Sequence, residues 1–297
     1  MGGTAMRKDR LDNTGIGALL AVSLLLAFNQ IIVKYVNQGL QPVFFAGLRS
    51  LLAVFFVGLW LWYRGLWPRI RRSDLRAGLL MGSIFAVEFL ALFIALDLTT
   101  VGRSALIMYS MPVWLGLAGH FFLPGERSTP LKAAGLALAF AGTAWAILSK
   151  NASGTPSLAG DLCALVAAWS WAGTAFVARK STLREAGPEA QLFWMVLVSA
   201  PLLLTASVFF GPLLRDVVWA HWVWLIFQAS VVVAGGFVTW LWLLSVYPAS
   251  TVASFSFLTP ILAIFMGHFI YGEVLQPSLI GAGGLVSIGI ILINRRA

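Results

Sequence analysis

Two charged side chains, Arg49 and Glu88, sit inside long apolar stretches of this sequence. An ionisable group within a bilayer is costly and is a functional candidate by default. Counted from the same side at ~1.5 Å per residue, Arg49 lies roughly seven residues down one apolar run and Glu88 roughly eight down the next. Their depths match, and two readings stay open. Glu88 can face a cavity and bind a substrate ammonium or a coupling proton, or it can pair with Arg49 so that both charges tolerate burial.

Tyr109, Ser110, Ser254, Ser256 and Thr259 gather around two prolines, Pro112 and Pro260, that fall near the middle of apolar runs. Proline removes a backbone hydrogen bond and kinks a helix, and the freed carbonyls must face protein or a cavity. These polar side chains can line a pocket, or the hydroxyls can bond back to their own helices. Trp169, Trp171 and Trp240 lie deep in their runs. With Asn29, Gln30, Phe85 and Thr174 they offer an apolar cage with a few polar groups, suited to stacking on an aromatic ligand; helix packing is the plainer role for each. Trp60, Trp62, Trp67, Trp219 and Trp222 fall near run ends, where indoles anchor a helix at the membrane surface.

Catalytic signatures are missing. There is no H-E-x-x-H pair, no G-x-S-x-G elbow and no phosphate-binding P-loop. Cys163 is the single cysteine, so no internal disulfide forms. An enzyme is not expected, nor is a metal or cofactor.

The elements that must carry these residues are membrane-spanning helices. Of 297 residues, 60% are hydrophobic and 10% charged, against about 25% charged in an ordinary soluble domain. A spanning helix needs about 20 mostly apolar residues. Ten such stretches are marked by hydropathy and breakers, at 15–34, 42–63, 75–96, 101–122, 131–149, 159–179, 189–211, 219–244, 249–271 and 277–294. The connections are short, so the chain reads as one transmembrane domain over 1–297.

The net charge of +9 raises nucleic acid as a partner, but its placement follows the positive-inside rule instead. Lys34, Arg103, Lys150 and Arg215 fall on one side of the ten spans and Arg49 inside one. Every other Lys and Arg falls on the opposite side, which places both termini in the cytoplasm. Lipid and a small molecule are the expected partners.

An internal repeat organises the chain. At a register of about 145 to 148 residues, Pro112 meets Pro260, Gly119 meets Gly267, His120 meets His268 and Phe121 meets Phe269. After a one-residue gap Glu126 meets Glu273, Pro130 meets Pro277 and Gly142 meets Gly289; earlier, Gly15 meets Gly160 and Pro42 meets Pro188. Repeat one covers 15–149 and repeat two 159–294. Five helices per repeat is an odd number, so the second copy enters the membrane inverted, a plan that recurs in transporters with a midplane site between the halves. Inversion puts His120 and His268 at opposite faces, which prevents them from sharing a metal. The small residues Gly135, Ala139 and Gly142 and their counterparts Gly281, Gly284 and Gly289 mark the fifth and tenth helices for close packing or dimerisation.

The doubled pattern of a proline-containing helix followed by a Gly-Glu loop, Met111-Pro112 to Gly125-Glu126 and Thr259-Pro260 to Gly272-Glu273, resembles the ten-helix EamA-type members of the drug/metabolite transporter superfamily. Arg49, seven residues after Pro42, looks like the arginine common there. Within that group the chain is most similar to bacterial aromatic amino-acid exporters. The resemblance implies an all-α inner-membrane protein, monomer or homodimer, with the fourth and ninth helices lining a central cavity. It implies a secondary transporter that exports small metabolites, amino acids with aromatic preference above others, by alternating access. The expected binding residues are Asn29, Phe85, Glu88, Tyr109, Trp171, Thr174, Trp240, Ser254 and Ser256, with Arg49, Pro112 and Pro260 structural or gating. A channel or an exporter of drugs or other metabolites is the competing reading.

Overall fold

Long apolar runs closed by polar caps set the helices. In the computed structural model of the chain, residues 12–67, 70–122, 130–149, 157–236, 239–240, 243, 246–247 and 258–294 are described. Helix α1 (Asn13–Gly39) is capped by Asp12, which accepts from the amide of Gly15 at 2.8 Å. Helix α2 (Pro42–Tyr63) starts on a proline, with the Gln41 side chain accepting from the Phe44 amide at 2.7 Å; both devices satisfy donors that the first turn leaves free. A short 3₁₀ turn leads into α3 (Leu75–Leu98), and α4 (Val101–Met108) and α5 (Met111–Phe122) follow. Then come α6 (Pro130–Leu148), α7 (Leu158–Lys180), the single turn α8 (Leu183–Ala186) and α9 (Pro188–Ser207). Helix α10 (Trp219–Phe227) widens into a π-helix over Gln228–Gly236, and α11 (Leu258–Tyr271) and α12 (Pro277–Asn294) complete the described elements.

Six of these segments are long and apolar enough to cross a membrane: Asn13–Gly39, Pro42–Tyr63, Arg72–Leu98, Leu158–Ala178, Pro188–Ser207 and Trp219–Gly236. Shorter apolar helices account for α6, α11 and α12. Among the described residues the extended pairing is confined to one antiparallel bridge, Leu40 with Leu214.

The stretch 101–122, expected as one kinked helix, is broken outright at Tyr109–Ser110. Pro112 has no amide hydrogen to offer the carbonyl of Met108, so α4 cannot run on through it. Ser110 redirects the chain. Its hydroxyl donates to the Ile107 carbonyl at 2.7 Å and accepts from the Trp114 indole at 3.0 Å, while its carbonyl accepts from the Val113 amide at 2.9 Å.

The main core joins α1, α2, α3, α4, α7, α9, α10 and α11 through residues such as Ile31, Phe45, Phe93, Ala105, Ala167, Leu203 and Ala263. Helices α6 and α12 pack chiefly on each other. A methyl group on Gly289 would stand 2.5 Å from the Gly135 carbonyl oxygen, so only glycine permits that approach.

Candidate functional site

Charged side chains in this molecule divide by depth. At one end of the helix bundle three ion pairs bring together distant parts of the chain. Lys34, on α1, lies 3.3 Å from Glu273, in the turn between α11 and α12. Arg103 of α4 meets Asp161 of α7 with both side chains almost fully buried, at 4% and 2% exposure. Arg215 grips Asp97 through two nitrogens, at 2.8 and 3.0 Å. In each pair one partner precedes residue 150 and the other follows residue 157, so these three pairs tie the N-terminal half to the C-terminal half.

Further hydrogen bonds reinforce that end. The Glu273 carboxylate accepts from the amides of Val101 (2.7 Å) and Gly102 (3.2 Å), so it caps the first turn of α4, where a negative charge is favoured. Lys34 donates also to the Thr99 carbonyl at 2.8 Å, and the Thr99 hydroxyl donates to Asp161 at 3.1 Å. Arg215 reaches the Asn37 carbonyl at 2.8 Å, and the Gln41 side-chain amide donates to the Ser207 carbonyl at 2.7 Å. The loop after α9 therefore lies across the turn between α1 and α2.

One helical layer deeper the pattern reverses. Arg49 and Glu88 are 2% and 3% exposed, yet no nitrogen–oxygen contact within 4.0 Å joins them. The Arg49 guanidinium lies 3.8 Å from the centre of the Phe89 ring and 5.0 Å from that of Phe93, a cation–π arrangement that favours its charge. Its Nε has no hydrogen-bond acceptor, and Oε2 of Glu88 has no donor. Gln30 and Gln228, both 4% exposed or less, each leave a side-chain oxygen unmatched.

Three contacts fix these groups at one depth. Asn37 donates to the Phe93 carbonyl at 2.9 Å, which sets α1 against α3 and brings Gln30 near the level of Ala86 in a parallel register. Gln228, at the start of the π-helix, donates to the Asn29 side chain at 2.7 Å. Arg49 sits on Phe89, the neighbour of Glu88. Asn29, Gln30, Arg49, Glu88 and Gln228 thus form a polar layer about 6–14 Å from the ion-paired end along their helices, at ~1.5 Å per residue. A π-helix inside a longer helix often marks a functional site, and Gln228 opens this one.

The remaining expected residues distribute around this layer. Tyr109, buried at the break between α4 and α5, meets Trp171 edge to face at 5.4 Å. Thr174 donates to the Trp171 carbonyl at 2.8 Å, which commits its hydroxyl to its own helix. Phe85 meets Phe89 at 4.5 Å with the rings tilted by 56°, and packs with Ala53, Val57 and Phe193. Trp240 packs away from Trp171, against Leu19, Val22 and Tyr247 near the start of α1. Pro112 stands second in α5, and Pro260, buried, lies beside Thr259 in the described part of α11. Ser254 and Ser256 lie outside the described residues. Among those described, no three His, Cys, Asp or Glu side chains come together as a metal site requires.

At the end of the bundle opposite the ion pairs, a cleft of about 400 Å³ opens between α5 and α7. Trp114, Phe122, Trp169 and Phe176 line it, and Lys180 stands at its rim. Trp169 and Trp171 are roughly 200° apart around α7 at ~3.6 residues per turn, so the cleft and the Tyr109–Trp171 contact use different faces of that helix.

Sequence reasoning missed Asp97, Asp161 and Glu273 as partners. The signal was available: the topology that put Lys34, Arg103 and Arg215 on one side puts these three acids there too. Gln228 carried no such signal, because a lone amide near a helix middle looks like any other.

The comparisons with known proteins agree with a membrane transporter. The family model described as the EamA-like transporter family matches residues 13–148 and again 158–295, and the chain belongs to that family. The uncharacterized transporter YvbV of Bacillus subtilis (strain 168) is 31% identical over 294 residues, covering 93% of this chain and 92% of its own length. The uncharacterized transporter YoaV of the same organism is 25% identical, over 92% and 94% of the two chains. The probable amino-acid metabolite efflux pump of Escherichia coli (strain K12) is 26% identical over 97% and 92%. A protein known by its crystal structure superposes with a TM-score of 0.66 over 95% of this chain and 96% of its own, at 19% identity, which speaks for the fold.

Proposed function

As a member of the EamA-like transporter family the chain is a membrane transporter; we propose that it is a secondary exporter working by alternating access between two inverted five-helix halves. In this reading ten helices cross the bacterial inner membrane with both termini in the cytoplasm, and the ion-paired end faces outward. The observation that carries the reading is that Lys34–Glu273, Arg103–Asp161 and Arg215–Asp97 each cross between the halves at one end, while the cleft beside Lys180 lies at the other. A clamp made of charge pairs rather than interlocked apolar side chains can part when water enters, because hydration repays the lost contacts. That is what a gate between two rocking halves requires.

The substrates favoured are amino acids and related small metabolites, with aromatic side chains preferred. The name of the Escherichia coli relative supports the class, and the Tyr109–Trp171 pair, with Phe85 and Phe89 beside the buried charges, supports the aromatic preference. With no nucleotide-binding motif in the sequence, a gradient supplies the energy.

Counterflow tests the proposal. Liposomes holding purified protein are preloaded with unlabelled tryptophan, leucine, threonine or glutamate, and entry of labelled tryptophan is followed. Saturable entry that depends on the preload, with tryptophan the strongest, is expected. Entry that neither saturates nor responds to preloading would identify a channel instead.

A further inference from the structure

The unmatched atoms of the deep layer are not chemically random. Three are acceptors: Oε1 of Gln30, Oε1 of Gln228 and Oε2 of Glu88. One is a donor, Nε of Arg49, on a guanidinium that lies against the rings of Phe89 and Phe93. A buried polar group without a partner is destabilising, more so away from water, and native proteins leave few of them. Four of the nine such side-chain atoms among the described residues collect at one depth, and the two carrying charge do not neutralise each other by contact.

We propose that this layer is a two-pole binding site for a zwitterion. Glu88 with the two glutamine carbonyls takes a primary ammonium, which has three N–H donors and no acceptor. Arg49 takes the carboxylate through its guanidinium N–H groups, of which Nε–H lacks an acceptor. The inference rests on the carrier reading above and deepens it: the substrate is selected by its paired backbone charges at Arg49 and Glu88, and its side chain is left to the aromatic surfaces. A ligand with only one of the charges satisfies one pole and leaves the other charge buried and unmatched, so discrimination against it is strong.

The test uses the full chain in liposomes and a panel of preloads: tryptophan, tryptophan methyl ester, which lacks the carboxylate, and N-acetyltryptophan, which lacks the ammonium; leucine and its two derivatives repeat the comparison with another side chain. Tryptophan is expected to drive counterflow at least tenfold better than either derivative, and leucine better than its own. Either derivative matching its parent overturns the two-pole site. Counterflow by an unrelated neutral metabolite with none by any amino acid also overturns it, yet leaves the carrier standing; absence of counterflow with every preload overturns the carrier reading itself.

Two variants separate recognition from scaffold. Glu88→Gln should lose tryptophan exchange while narrowing the gap between tryptophan and N-acetyltryptophan, and Arg49→Gln should narrow the gap to the methyl ester. Elution of each variant as a single species of wild-type size establishes folding. An equal loss for all three preloads in a folded variant contradicts the assignment of its pole, and if a variant fails to fold, the wild-type panel still decides.

Discussion

The ion-paired end and the deep polar layer spend charge in opposite ways. At the end, Arg103 and Asp161 are as buried as Arg49 and Glu88, but each is matched: Arg103 also reaches the Ser149 carbonyl at 3.2 Å, and Asp161 also accepts from Thr99. In the layer, Arg49 and Glu88 keep unmatched atoms. Burial alone therefore does not distinguish a structural charge from a binding one. For the charged side chains, completeness of hydrogen bonding is the distinguishing feature under the two-pole proposal, because a charge held only for stability gains nothing by leaving a partner out.

That contrast can be broken by substitution, and the largest effect is expected at the buried pair. Asp161→Ala leaves the Arg103 guanidinium buried and unpaired, and should cost about 3–5 kcal/mol of stability, read as a lowered melting temperature. Replacing both partners, Arg103→Met with Asp161→Leu, should recover most of that loss. A single Asp161→Ala variant as stable as the parent would show that the clamp contributes nothing.

Glu88→Gln comes next and should behave the other way. Transport of tryptophan should fall by about 10–100-fold, the ~1.5–3 kcal/mol of a hydrogen bond to a charged group, with the melting temperature kept or raised because an unmatched charge has been removed. A large drop in stability with transport lost in proportion would make Glu88 structural.

Glu273→Gln should be milder. The amide still offers an oxygen to the Val101 and Gly102 amides but gives up the charge that holds Lys34. A gain of about 1 kcal/mol for the open end corresponds to roughly fivefold more opening. In a Cys163→Ser background, a Thr99→Cys thiol, at a buried position beside Lys34 and Asp161, is labelled by a water-soluble maleimide at a rate that reports this opening. Unchanged labelling would remove Glu273 from the gate.

The smallest effect belongs to Arg215→Ala. That pair is the most exposed of the three, at 38% and 24%, and surface ion pairs contribute about 0.2–1 kcal/mol. A melting shift as large as that of Asp161→Ala would mean that the Arg215 contact to the Asn37 carbonyl, not the ion pair, carries the weight.

Much of the molecule is legible in its sequence because hydrocarbon is a stringent solvent. The apolar runs at 15–34, 42–63 and 75–96 fall within α1, α2 and α3, since a backbone in lipid must satisfy its own hydrogen bonds and a helix does so locally. Pro112 announced a disturbance in the run 101–122, and the family motif around it led to the correct family. What stayed hidden at that site is the break at Tyr109–Ser110. It depends on Ser110 finding partners at Ile107, Trp114 and Val113, and two of these are side-chain contacts that no hydropathy pattern encodes.

Composition and periodicity thus determined that this chain is built of apolar membrane helices, because both are read one segment at a time, and the motif repeated in its two halves, through its resemblance to a family, pointed to transport. Tertiary structure alone decided that Lys34 finds Glu273 across nearly the whole chain, that Trp240 packs against α1 apart from Trp171, and that Arg49 and Glu88, level in the sequence, do not close into a pair. Side-chain pairing is set by the azimuth of each helix and by angles of a few ångströms' consequence at the contact. Those quantities arise only when the helices pack together.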